Sequence, residues 1–274
     1  MKKYLSMAGF VILYLILLYG LSDIAGWLWW NSGLLPGAFL KRNYDLVTLI
    51  GFVFTLTAFG LILKFRKKSL WDAVFLNKLA PKSFFAVLTA GLLLGCITSC
   101  VVNTSFIQDK LPIYRMFLDY QFNGIGSFPV FLIIVAVMYA GEEMIFRGVI
   151  YSEFLGGVSV YKAMLLSVAV YGLINIFMIH PAVGLYAAVA AFFYSMANIC
   201  TNSLFSSITL QIASIYVIAI SWKAGIWGWI SGLGDGVLTA VIVVAAVVIL
   251  VIYRYLYKNR KKAGISADKV PVSI

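Results

Sequence analysis

Apolar side chains gather into long runs along the chain, and polar or charged residues are confined to the joints between them. The runs fall at about Tyr4 to Leu21, Asp45 to Leu63, Phe84 to Val102, Phe128 to Ile150, Ala163 to Ile179, Ala182 to Cys200, Leu204 to Ser221 and Val237 to Tyr257. Each is close to the roughly 20 residues that an α-helix needs to cross a bilayer. The pattern predicts an all-α polytopic membrane protein, a bundle of about eight transmembrane helices. Short or weakly polar joints separate the fifth to seventh, which leaves a count of seven or nine open. Residues 1–257 read as a single transmembrane helical domain and 258–274 as a short basic cytoplasmic tail.

The joints carry their own signals. Ser22 to Tyr44 reads as an outer loop holding an aromatic cluster and the turn signal Leu35-Pro36-Gly37. Lys64 to Ser83 is the most basic stretch away from the termini, and within it Leu70 to Phe75 reads either as a short amphipathic segment on the inner leaflet or as a solvated loop. Gly91, Gly95 and Cys96 offer the third helix a small-residue face for close packing. Asn103 to Ser127, of mixed charge, is an outer loop able to cover the bundle.

Composition agrees with this pattern. With 63% hydrophobic and 11% charged residues the chain cannot be a soluble domain. Its net charge of +11 divides unevenly: with the N-terminus inside, sixteen Lys and Arg fall on the inner side and five on the outer. That positive-inside bias expects an even number of spans, both termini in the cytoplasm, and membrane lipids as partners through their anionic headgroups; the expected location is a bacterial cell membrane. A nucleic-acid partner would need a soluble basic face, which the pattern does not provide. Trp27, Trp29, Trp30, Trp222, Trp227 and Trp229 fall at one expected interface, as an aromatic belt does. Lys2 and Lys3 open an uncleaved first helix rather than a secretory signal. Cys96, Cys100 and Cys200 lie in expected spans and read as buried thiols, with neither a disulfide framework nor metal spacing.

Candidate chemistry begins at Tyr139-Ala140-Gly141-Glu142-Glu143-Met144-Ile145-Phe146-Arg147-Gly148, which places two adjacent acids and an arginine inside the fourth apolar run. An acid in a lipid-embedded helix costs about 2.5 to 3.5 kcal/mol, so such residues face a protein interior or a wet cavity. Glu143 and Arg147, four apart with the acid first, share a face and can pair. Glu142 lies about 100° round the helix, off the face that Arg147 serves, and is a candidate general base. Alternatively it is held by a neighbouring helix as structural glue.

Polar residues on the later helices are few. At 1.5 Å per residue, Glu142 lies about 12 Å from the inner end of its span, Tyr171 and Asn175 about 12 and 18 Å from theirs, and Gln211 about 10 Å. His180, the only histidine, falls at the outer end of its helix beside Pro181, about 26 Å from the inner end. One histidine cannot supply a zinc site, and no cofactor is expected. Side-chain oxygens of Glu142, Glu143, Asn175 and Gln211 could hold a hard cation.

Glu142-Glu143-x-x-x-Arg147 in the fourth helix of an eight-helix bundle resembles the first signature of the CPBP family, also called Abi. That family holds CAAX prenyl proteases and bacteriocin-processing or immunity proteins. The resemblance spans about Phe128 to Ile218. It implies an intramembrane protease fold in which a glutamate activates water and histidines of two later motifs bind metal or stabilise an oxyanion. The second motif, Phe-x-x-x-His, lands on Tyr171-Gly172-Leu173-Ile174-Asn175, and the third, beginning with His, on Gln211-Ile212-Ala213-Ser214-Ile215. The acid pair and arginine are kept and both histidines are replaced. The implied site is Glu142, Glu143, Arg147, Asn175 and Gln211, with Tyr171 touching substrate.

Three functions follow from these residues. The first is a non-catalytic member that binds a partner's transmembrane or lipidated segment, in immunity or regulation. The second is an active endopeptidase with Glu142 as base and the amides of Asn175 and Gln211 as oxyanion donors. The third is a proton-coupled carrier titrating at Glu142, against which stands the lack of a convincing internal repeat.

Overall fold

The computed structural model describes residues 2–31, 33, 44–70, 74, 76–123 and 127–262. Among these the chain is all helical: α1 (Lys2–Asn31), α2 (Tyr44–Phe65), α3 (Pro81–Val102), α4 (Ser105–Lys110), α5 (Pro112–Asn123), α6 (Phe128–Glu143), a π-helical stretch (Met144–Ile150), α7 (Tyr151–Leu155), α8 (Val160–Met178), α9 (Pro181–Thr201), α10 (Leu204–Lys223), α11 (Ile226–Ser231) and α12 (Asp235–Lys262). Among the described residues seven segments are long and apolar enough to cross a membrane, and α2 adds a shorter apolar stretch, Leu49–Phe65. The chain forms two compact units, one drawn from Met1–Leu76 and Gly124–Ser167, the other from Asn77–Asn123 and Val168–Lys269.

In the first unit α1 packs along α2, with the rings of the fully buried Tyr14 and Phe59 4.5 Å apart. Helix α1 runs ten residues past the expected end at Leu21, so Trp27 and Trp30 sit on helix and not in a loop. No proline interrupts that stretch, and the Asn31 amide donates to the Trp27 carbonyl at 2.8 Å, closing the last turn. The turn signal Leu35-Pro36-Gly37 lies outside the described residues. Helix α2 ends with the Lys68 N–H donating to the Leu63 carbonyl at 2.8 Å while Lys67 takes a left-handed φ of 58°, a position that favours glycine. Of Leu70 to Phe75, residues 71–73 and 75 lie outside the described set. Val74 is fully buried against Gly148, where an added Cβ would come within 2.7 Å of Val74 Cγ1. A fully solvated loop does not account for Val74, because the absence of a side chain at Gly148 creates a seat for it.

In the second unit α3 packs against α10 and α12. A Cβ on Gly91 would meet the Leu210 carbonyl at 2.6 Å and one on Gly95 the Ser214 carbonyl at 2.5 Å, so the α3 and α10 backbones touch. The small-residue face is therefore built by the two glycines, as expected for close helix packing. Cys96 is not on it: this thiol is exposed, whereas Cys100 and Cys200 are buried. The described part of the outer loop folds into α4 and α5. Helix α5 buries Tyr114, Leu118 and Phe122 at i, i+4 and i+8, and its Asp119 accepts a 2.8 Å hydrogen bond from Trp222 Nε1 of α10. Helix α12 passes the expected boundary at residue 257 and reaches Lys262. Its buried Arg260 donates to the Ile199 carbonyl near the end of α9.

Candidate functional site

The acid pair closes α6, whose N-terminal turn begins with Phe128-Pro129, a proline placed where no N–H is needed. Glu143 is its last residue and Arg147 lies in the π-helical stretch that follows. Their side chains pair at 3.0 Å between Glu143 Oε1 and Arg147 Nη1, with Glu143 fully buried and Arg147 only 1% exposed. The expected i,i+4 pair is present, in an environment where removing one partner strands a charge. Glu142 is half-buried, and Tyr19 of α1 lies within electrostatic reach of it. Gly141 lets α2 approach directly before the pair: a Cβ there would stand 3.1 Å from Phe52 Cδ1.

The segment does not stop at Ile150. It continues through α7 to Leu155, 28 residues from Phe128. Glu142 therefore stands near the middle, about 20 Å of helix from the far end and not about 12 Å. Arg66 explains the longer course. Its guanidinium binds both oxygens of Glu153, one at 3.1 Å, so an acid that reads as a span-ending polar residue is neutralised inside the fold. The same guanidinium stacks over the Phe10 ring at 3.5 Å and lies 3.4 Å from the Tyr14 hydroxyl. Burial opposes the charge on Arg66, but hydrogen bonding and attraction from Glu153 outweigh it and raise the group above its ordinary value. Neither Arg66 nor Glu153 could be singled out from local spacing, since they are 87 residues apart. Ser167 is a second such residue: buried on α8, it donates to the Phe146 carbonyl in the π-helical stretch at 2.7 Å.

In the second unit the structure places Tyr171 and Asn175 one turn apart on α8, both half-buried, with the Asn175 amide donating to the Tyr171 carbonyl at 2.9 Å. Gln211 is buried on α10, flanked by the buried Leu210 and Ser214. His180 caps α9, its Nδ1 accepting the Ala182 N–H at 3.2 Å. It serves the helix terminus, as its position beside Pro181 suggests. Amides at 175 and 211 cannot stand in for imidazoles, and one nitrogen of the sole histidine is already engaged in the cap. Among the described residues no three His, Cys, Asp or Glu side chains come together as a metal site would require.

No curated protein and no solved structure matches the chain. Residues 124–217, about a third of the chain, match the family model described as Type II CAAX prenyl endopeptidase Rce1-like. The matched stretch contains Glu142, Glu143, Arg147, Tyr171, Asn175 and Gln211. Over those residues the chain is similar to the Rce1-like, CAAX prenyl endopeptidase group of the CPBP family, the family its acid-pair motif resembles.

Proposed function

We propose that this chain is a non-catalytic CPBP protein that uses its acidic centre to bind a transmembrane or lipidated segment of a partner, acting in bacteriocin immunity or in regulation of another envelope protein. One observation carries the reading: the single histidine of the sequence caps a helix, and the resemblance puts Asn175 and Gln211 where the family motifs hold histidine. Losing one group that meets developing negative charge costs about 10² to 10³ in rate, and two are replaced here. What is kept suits recognition. The Glu143–Arg147 pair is buried and self-compensating, while the half-buried Glu142 offers a carboxyl to a donor brought in by a partner. The chain works without zinc, in the cell membrane of a bacterium, as a multi-pass protein with both termini in the cytoplasm and anionic lipid around its basic ends. In liposomes carrying a membrane-anchored or prenylated reporter peptide, neither wild type nor Glu142→Gln should release product, and photocrosslinking to the reporter should fall in the variant. Cleavage that depends on Glu142 would overturn this reading.

A second reading is supported by the description of the matching family model as an endopeptidase. In it Glu142 is the general base and Glu143 and Arg147 hold it in place, while Tyr171, Asn175 and Gln211 are the further residues that the resemblance implies. It expects product from wild type and none from Glu142→Gln, in the same assay.

A further inference from the structure

One irregularity interrupts the helix that carries the acid pair. Met144–Ile150 is π-helical, a rare winding found mostly as single wide turns and frequently at functional sites. Contacts from outside the helix hold it. The Ser167 hydroxyl donates to the Phe146 carbonyl, which also accepts the Tyr151 N–H from the next turn. Just beyond Ile150, Arg66 grips both oxygens of Glu153, its plane resting on Phe10 and its edge near the buried Tyr14. Glu153 is 6% exposed, and the Arg66 side chain keeps 23%. A two-pronged pair of this kind fixes direction as well as distance. All these groups belong to the first unit, and neither proposed activity uses Arg66 or Glu153.

We infer that Arg66 and Glu153 are positioning residues: with Ser167 on the other side, they hold the π-helical stretch and so set the direction of Glu142 and Glu143 relative to Arg147. The inference rests on the reading of the acid pair as the functional centre. Its physical basis is that an uncommon winding persists only where surrounding contacts fix it, and the clamp lies one turn past its end.

Full-length protein in nanodiscs tests it by hydrogen exchange of amides 144–155, and by the infrared carboxyl band identified by its loss in Glu142→Gln. Arg66→Gln and Glu153→Gln should each speed local exchange by about tenfold or more and shift that band. The swap Arg66→Glu with Glu153→Arg should restore both. Arg66→Lys keeps the charge without the fork and should give an intermediate result. It decides the matter if the glutamine variants do not fold. Wild-type exchange and band position in these variants would overturn the inference. So would exchange raised equally in α3 and α10, since the pair would then be a general stabiliser. These readouts are independent of any bound partner. If they succeed while Glu142→Gln leaves partner crosslinking intact, the clamp stands and the proposed function falls.

Discussion

Removing one member of the Glu143–Arg147 pair should hurt the protein far more than removing both. The two charges are 3.0 Å apart and almost wholly excluded from solvent. At an effective dielectric constant near 20 their attraction is about 5 kcal/mol, and it offsets desolvation of each group. Glu143→Gln leaves the Arg147 guanidinium buried beside a neutral amide, and the expected loss is about 3 to 5 kcal/mol. For a chain of this size that is a fall in apparent Tm on the order of 10 °C in a fixed detergent. Glu143→Leu combined with Arg147→Met removes both charges while keeping similar volume, and should return stability to within about 1 kcal/mol of wild type or above it. Denaturant titration of purified protein, arranged as a double-mutant cycle, measures the coupling directly. A loss below about 1 kcal/mol for the single variant, or a double variant as unstable as the sum of the singles, would refute the view that each charge is there to neutralise the other.

Other expectations follow from single contacts. Ser167→Ala removes the hydroxyl from the Phe146 carbonyl, which retains its bond from Tyr151, so the cost should be about 1 kcal/mol in the same titration. Gly148→Ala drives a methyl to 2.7 Å from Val74 Cγ1 and should cost about 1 to 3 kcal/mol; Val74→Ala in the same chain should recover part of it, and strict additivity would show that Val74 is not seated there. Lys67→Gly relieves a left-handed residue at the end of α2 and should stabilise by about 0.5 to 1 kcal/mol, provided a neutral detergent removes any contribution from lipid charge. Gly95→Val, facing the Ser214 carbonyl at 2.5 Å from its Cβ, should prevent α3 and α10 from closing and abolish the folded monodisperse peak in size-exclusion chromatography.

The membrane-spanning helices were legible because long apolar runs separated by charge admit few other arrangements, and α3, α9 and α10 begin or end within a few residues of their runs. Glu143 and Arg147 were legible for a local reason, the four-residue spacing of a helix face. Other features depend on distant chain. Glu153 looks like the polar end of a span until Arg66, 87 residues away, is seen to neutralise it. Val74 looks like part of a basic loop until Gly148 provides its seat. The wide turn at Met144–Ile150 has no signature in its own apolar residues, since a change in winding leaves composition untouched. An aromatic cluster marks an interface, but Trp27 and Trp30 lie on α1, because an interface position does not require the helix to have ended.

The change of winding beside the acids has a geometric corollary. In ordinary α winding, side chains four apart lie one above the other; Arg147 reaches Glu143 at that spacing although Met144 to Arg147 already lie in the wider stretch. In π winding the closing bond spans five residues. At that wider spacing the residue one turn before Arg147 is Glu142. Two neighbouring carboxyls thus stand at spacings of four and five from one guanidinium, and how tightly the backbone is coiled there decides how each is aimed at it.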